Sequence, residues 1–121
     1  MAKDELLRHF YGGFVRLHIL YHAAKETICG VEMIDELKRH GYKMSPGTLY
    51  PILHHLEENG YLVAEDEIVR GKRRKNYRIT KKGRTLMDEA QAKLRELFAE
   101  VVEHQDRLAA SKSGSSGLPK K

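Results

Sequence analysis

Apolar residues recur along the chain at two different spacings, and these spacings predict a series of helices followed by a hairpin. Wide apolar faces with residues three and four apart predict helices over residues 14–25 and 31–40. A shorter helix is predicted over residues 4–11, because the paired Gly12 and Gly13 disfavour its continuation. The first part of the chain is therefore expected to be helical, with residues 27–30 as a connector.

The next helix has clear start and stop signals. Ser45 suits the N-cap, and Pro46 suits the first helical position, where its missing N–H had no helical partner. Apolar residues then recur at helical spacing until Asn59 and Gly60 end the helix. Pro51 lies inside this segment and is expected to kink the helix, not to end it.

After Gly60 the apolar residues no longer recur at helical spacing, and the pattern predicts two strands, over residues 61–69 and 75–80. Residues 70–74 between them predict a turn with a basic tip. Thr80 then suits the N-cap of a long helix over residues 81–108, along which apolar residues alternate in steps of three and four, as in a coiled-coil seam.

This order of elements predicts a mainly α fold with a small β-hairpin, a winged helix-turn-helix followed by a long C-terminal helix. We expect a DNA-binding domain over residues 1–80, a dimerisation helix over residues 81–108, and a flexible Ser- and Gly-rich tail over residues 109–121.

The charge of the chain is unevenly distributed. The 121 residues carry a net charge of +5, and nine cations with no acidic residue lie between Arg70 and Arg84. Such asymmetry favours a polyanionic partner over a merely solvated loop. No apolar stretch approaches the ~20 residues that span a bilayer, and the single Cys29 cannot form an intrachain disulfide. A soluble, cytoplasmic protein is expected.

The residues Ser45-Pro46-Gly47-Thr48-Leu49-Tyr50-Pro51-Ile52-Leu53, followed by residues 56–62, closely resemble the recognition-helix signature of the PadR family of bacterial transcriptional regulators. Residues 71–80 with Gly83 resemble its wing, and residues 16–20 and 30–34 resemble its first two helices. Val31 departs from the family, whose members often carry an aromatic residue there. The resemblance implies a homodimer that represses transcription until an effector or other signal lowers its DNA affinity. The single C-terminal helix resembles the smaller subfamily.

A recognition helix places its N-terminal residues against base edges in the major groove, while a basic wing lies along phosphates or the minor groove. For Tyr50, packing against Gly41 and Tyr42 is the alternative. The predicted DNA-binding residues are Lys43, Ser45, Pro46, Gly47, Thr48, Tyr50, His54, Lys72, Arg73, Arg74 and Lys75.

The long C-terminal helix has more apolar surface than a small domain is expected to cover, so a twofold dimer interface is predicted there. Such a dimer would bind double-stranded DNA at an inverted repeat with half-sites roughly 34–36 Å apart. The predicted dimerisation residues are Leu6, Phe10, Met87, Leu94, Leu97, Phe98 and Val101.

Other chemistries have weaker support. His18 and His22 have a helical spacing compatible with metal, but a site would need a further ligand such as Cys29 or His104, so a structural role is favoured and no metal or cofactor is predicted. An inert thiol is likewise favoured for Cys29 over a redox sensor. No catalytic constellation indicates an enzyme. The alternative function is a winged-helix module that acts through protein or non-specific nucleic-acid binding.

Overall fold

The computed structural model describes residues 3–113. The α-helices are α1 (Lys3–Lys25), α2 (Gly30–Arg39), α3 (Pro46–Glu58), α4 (Lys81–Leu97) and α5 (His104–Ser113), and a π-helix occupies Phe98–Glu103. The strands β1 (Ile28–Cys29), β2 (Leu62–Val69) and β3 (Lys72–Ile79) form an antiparallel sheet in the order β1-β3-β2. Two compact units divide between Met87 and Asp88. This is the mainly helical winged-helix architecture that the sequence predicts.

The first helix is longer than predicted. The prediction of a break at Gly12 and Gly13 is wrong, because α1 continues through both glycines to Lys25. Glycine costs a helix interior about 1 kcal/mol and, unlike proline, removes no hydrogen bond. The guanidinium of Arg16 also donates a hydrogen bond of 2.9 Å to the carbonyl oxygen of Gly12.

The segment over residues 27–30, expected to be only a connector, contains a third strand. In β1, Ile28 pairs with Tyr77 and Cys29 pairs with Asn76. Both β1 residues are buried. Two residues are too few to show the alternation by which a strand is recognised, and their pairing depends on β3, far along the chain. Through this pairing, β1 connects the N-terminus of α2 to strand β3 of the hairpin.

The core of the first unit gathers side chains from the three N-terminal helices, the sheet and the start of α4. Ile19, Leu37, Leu49 and Leu53 are 0% exposed. Each such burial contributes about 1.5–3 kcal/mol, so these residues hold α1, α2 and α3 together. Met87 belongs to the same core at 8% exposure. It was predicted to lie in the dimer seam, but its side chain is already covered by its own unit.

The second unit is helical, but it is not the single regular helix that the apolar repeat predicts. The π-helix at Phe98–Glu103 interrupts the seam. Its hydrogen bonds join residues i and i+5, so its turns are wider than those of an α-helix. Apolar residues spaced three and four apart therefore do not stay on one line along the helix through this segment. The helical path also extends to Ser113, beyond the predicted end at residue 108. The remainder of the predicted tail, residues 114–121, lies outside the described residues.

None of the helices within residues 3–113 combines the length and the apolar content needed to cross a membrane.

Candidate nucleic-acid interface

The helix α3 has one anchored face and one open face. Leu49, Leu53 and Leu56 are buried and fasten the helix to the core. Thr48 and His54, predicted to contact DNA, are exposed on the outside of the unit. The bounds Pro46–Glu58 confirm the predicted helix, with Pro51 inside it. The core contacts therefore fix the helix backbone from which the outward side chains project, as reading a groove requires.

The N-terminus of α3 is open to an anion. Ser45 is the N-cap, yet its side chain makes no capping bond. Its hydroxyl instead donates a hydrogen bond of 3.3 Å to Oγ1 of Thr48. Pro46 has no N–H, and the N–H of Gly47 has no hydrogen-bond partner within the described residues. The N–H groups of Thr48 and Leu49 are bonded to the carbonyl oxygen of Ser45, so the N–H of Gly47 is the one left open to an anion such as a phosphate. Lys43 lies exposed just before the helix.

Tyr50 is held in position by the start of α2. A Cβ atom added to Gly30 would lie 2.5 Å from both Cε1 and the hydroxyl oxygen of Tyr50. A side chain at this position would therefore have to displace the end of the Tyr50 ring. The ring is half-buried and packs against the core. From the sequence, packing of Tyr50 against Gly41 and Tyr42 was considered, and its contact with Gly30 was not predicted.

The wing, formed by β2, β3 and their turn, is tighter than predicted. Its turn is the two-residue Arg70-Gly71, with φ of 53° and 78°, the positive values that two-residue hairpins with primed turns require. Lys72, Arg73 and Arg74 were predicted in the turn. They lie instead in β3, where they pair with Val69, Ile68 and Glu67 of β2, respectively. All three cations remain exposed.

Some wing cations have acidic partners. Arg73 lies 3.8 Å from Asp66, and Lys75 lies 3.5 Å from Glu57 on α3. These pairs are substantially exposed, so each is worth at most about 1 kcal/mol and leaves its cation able to exchange partners. The second pair also links the wing to the recognition helix.

Other wing cations have no acidic partner. Arg70, Lys72 and Arg74 form no ion pair with any residue in the described range. Arg70 was not among the predicted contacts. Its position beside Gly71 could have indicated that it lies at the tip of the wing, because glycine is typical of hairpin turns. The wing therefore keeps uncompensated positive charge at and beside its turn.

A cleft of about 690 Å³ lies between the wing and the start of α2 and α3. It brings together five predicted contacts, Tyr50 and the cations Lys72, Arg73, Arg74 and Lys75. Two others, Lys43 and Thr48, line a separate cleft of about 530 Å³ beside α1. The predicted residues therefore lie on both sides of the recognition helix.

Tyr77 is the buried residue of β3 within the wing and is only 1% exposed. Burial, with a smaller contribution from Glu57, raises the pKa of Tyr77 to about 12, because desolvation disfavours the phenolate. The phenol is neutral at physiological pH, and the positive charge of the wing is not reduced by a buried anion beneath it.

Three histidines are brought together away from the wing, near the end of α2. One candidate ligand nitrogen from each of His18, His22 and His40 lies within 4.8 Å of the others. Burial lowers the pKa of both His18 and His22. Cys29, considered as a further ligand for the first two, is not in this cluster; it is a free, buried thiol. The third member, His40, was missed.

Comparison with known proteins agrees with this geometry. The profile of the "Transcriptional regulator PadR-like family" matches residues 19–89. The chain is 47% identical over 105 residues to "Transcriptional regulator Rv3488" of Mycobacterium tuberculosis (strain ATCC 25618 / H37Rv), a match that covers 87% of this chain and 98% of the relative.

Solved structures share the fold. A PadR-like transcription factor from Bacteroides fragilis is 31% identical with a TM-score of 0.71, covering 84% of this chain and 98% of its own. A PadR family transcriptional regulator from Eggerthella lenta DSM 2243 is 26% identical with a TM-score of 0.73, covering 84% and 90%.

The matched profile spans more than half of the chain, including the recognition helix, the wing and the start of α4. These are the elements whose residues carried the resemblance in the sequence. The chain therefore belongs to the PadR-like family of transcriptional regulators, which act by binding DNA.

Proposed function

We propose that the protein is a cytoplasmic, homodimeric repressor that binds an inverted-repeat operator and loses DNA affinity in response to an effector or other signal. The observation that carries the DNA-binding part is the cleft in which Tyr50 of α3 meets the cations at residues 72–75. Positive charge beside a firmly anchored helix provides both phosphate contacts and a surface for reading bases.

The contacts divide into two classes by what they can recognise. Lys72, Arg73, Arg74 and Lys75 supply charge, which positions the protein on any duplex. The hydroxyl groups of Thr48 and Tyr50 and the imidazole of His54 are the groups that can distinguish bases. We place Lys43, Ser45, Pro46 and Gly47 at a phosphate beside the helix N-terminus.

The dimeric part of the proposal rests on unpartnered apolar side chains. On α1, Leu6 and Phe10 are 48% and 53% exposed. In the second unit, four more apolar side chains are between 40% and 60% exposed, namely Leu94, Leu97, Phe98 and Val101. Large apolar side chains clustered on a surface mark an interaction site. A twofold copy of the same chain is the partner that the likeness to the family favours.

The test is a gel-shift titration with the upstream region of the protein's own gene, against a scrambled duplex of equal length, at two salt concentrations. We expect tighter binding to the native region, and the preference should persist at the higher salt. Equal, salt-sensitive binding to both duplexes would instead support the alternative, a winged-helix module that binds nucleic acid without sequence preference.

A further inference from the structure

Three histidine side chains from two helices converge at the end of α2. We propose that His18, His22 and His40 form a binding site for a divalent late first-row transition metal ion such as Zn²⁺. The proposal goes beyond the repressor function and does not depend on it.

The backbone places these side chains together in two ways. His18 and His22 lie one turn apart on α1, a spacing that puts both imidazoles on one face of the helix. His40 is the C-cap of α2, and its ring stacks on that of His18 with centroids 4.4 Å apart. The rings of His22 and His40 lie 5.8 Å apart.

The distances are close to those of a bound ion. Zinc binds histidine nitrogen at about 2.0–2.1 Å, which separates tetrahedral ligand atoms by roughly 3.4 Å. The three nitrogens here lie within 4.8 Å of one another. His40 is exposed, so rotation of its side chain can close the remaining gap without disturbing the core.

His22 provides an independent sign that the cluster lacks a partner. It is only 9% exposed, and its Nε2 is buried with no hydrogen-bond partner among residues 3–113. The nearest carboxylate oxygen, Oε1 of Glu36, lies 4.0 Å away, beyond hydrogen-bond distance. Leaving a buried polar atom unsatisfied costs about 1–3 kcal/mol, and a metal ion is one way to satisfy it.

The charged groups around the cluster are of both signs. Glu36 faces His22 from α2, and its other oxygen lies 2.8 Å from Arg39. Lys25 and Arg39 are the cations that act on His22. The neutral imidazole is the form that binds metal, so binding should weaken as the pH falls.

The donor set selects the class of metal. Imidazole nitrogen suits Zn²⁺, Cu²⁺ and Ni²⁺, whereas Mg²⁺ and Ca²⁺ prefer oxygen. Three protein ligands leave a fourth position for water or for the carboxylate of Glu36. A bound ion would fasten α1 to the last turn of α2, directly before the segment that leads to the recognition helix.

The test is calorimetric titration of the full chain with ZnCl₂, using His40→Ala as the main variant and His9→Ala as its control. His40 is exposed, so its replacement is expected to leave the core intact. His9 is an exposed histidine of the same helix, α1, and is outside the cluster. The wild type and His9→Ala should each bind one Zn²⁺ per chain.

His40→Ala should bind zinc more than about tenfold more weakly, since even the outer-shell partners of a metal ligand are worth about 10–100-fold in affinity. Zn²⁺ should also raise the Tm of the wild type and of His9→Ala but not that of His40→Ala. A wild type that binds no zinc would overturn the proposal, as would equal zinc affinity in His40→Ala and His9→Ala. Circular dichroism without metal verifies that both variants are folded.

Discussion

Arg74 is the wing cation whose contribution to DNA binding can be isolated most cleanly. Its side chain is exposed on β3 opposite Glu67. The two side chains form no ion pair in the described part of the chain, and Oε1 of Glu67 accepts a hydrogen bond of 2.7 Å from Asn76. Arg73, by contrast, shares its charge with Asp66 at 3.8 Å. We therefore expect Arg74→Gln to remove one complete phosphate contact from each protomer.

The size of the effect follows from counterion release. Each phosphate contact contributes about 0.9 to the slope of log affinity against log salt concentration. A dimer carries two copies of Arg74, so the substitution should make the slope less steep by about 1.8. Between about 50 and 200 mM salt, the wild type should then lose about 12-fold more affinity than the variant. The change should be the same for operator and scrambled duplex, since phosphate contacts do not read sequence.

Fluorescence anisotropy titrations of a labelled duplex at several salt concentrations measure this slope. Lys93→Gln is the matched control, because it removes the same charge from the second unit, where Lys93 pairs with Glu96 at 2.7 Å. Equal slopes for Arg74→Gln and the wild type would refute the assignment of Arg74 to a phosphate. An equally large change in Lys93→Gln would show that net charge, not a wing contact, governs binding.

Three further substitutions test the dimer, the first helix and the support of the recognition helix. Leu97→Glu should produce monomers in sedimentation, because it would bury a charge in an apolar interface. The control Ala92→Glu should remain dimeric, because residue 92 lies about 140° from residue 97 around a regular α-helix. A dimeric Leu97→Glu would contradict the interface. Gly13→Ala should raise the free energy of unfolding by about 0.5–1 kcal/mol in urea titrations, since an added Cβ meets nothing within 4 Å. An unchanged free energy of unfolding would argue that α1 is interrupted at Gly13. Gly30→Ala should displace the end of the Tyr50 ring, because an added Cβ would lie 2.5 Å from it, and should weaken operator binding. Unchanged binding would contradict the support of Tyr50 by Gly30.

The recognition helix was predictable because its signals are local. Ser45 and Pro46 mark its start, Gly60 follows its end, and the structure places the helix at Pro46–Glu58. Capping and turn preferences act over a few residues, so they can be read without knowing the fold. The same holds for Thr80, whose hydroxyl oxygen accepts the N–H of Gly83 at 3.0 Å at the start of α4.

The wing was predictable as a hairpin but not in its details. The basic composition hid the exact residues of the turn, because every residue from 70 to 75 except Gly71 is Arg or Lys, in turn and strand alike. Pairing with β2 moved Lys72, Arg73 and Arg74 into the strand. The register depends on the partner strand and on the turn type together, and neither is visible from one strand alone.

By itself, the sequence determined the ends of the recognition helix, the presence of the hairpin, the concentration of positive charge and the family, because each depends on neighbouring residues. Tertiary structure alone decided the pairing of Ile28 with Tyr77, the burial of Met87 and the support of Tyr50 by Gly30. It also brought His40 to His18. These contacts join residues distant in the chain, and their stability comes from burial and close packing, which exist only once the helices and the sheet have assembled.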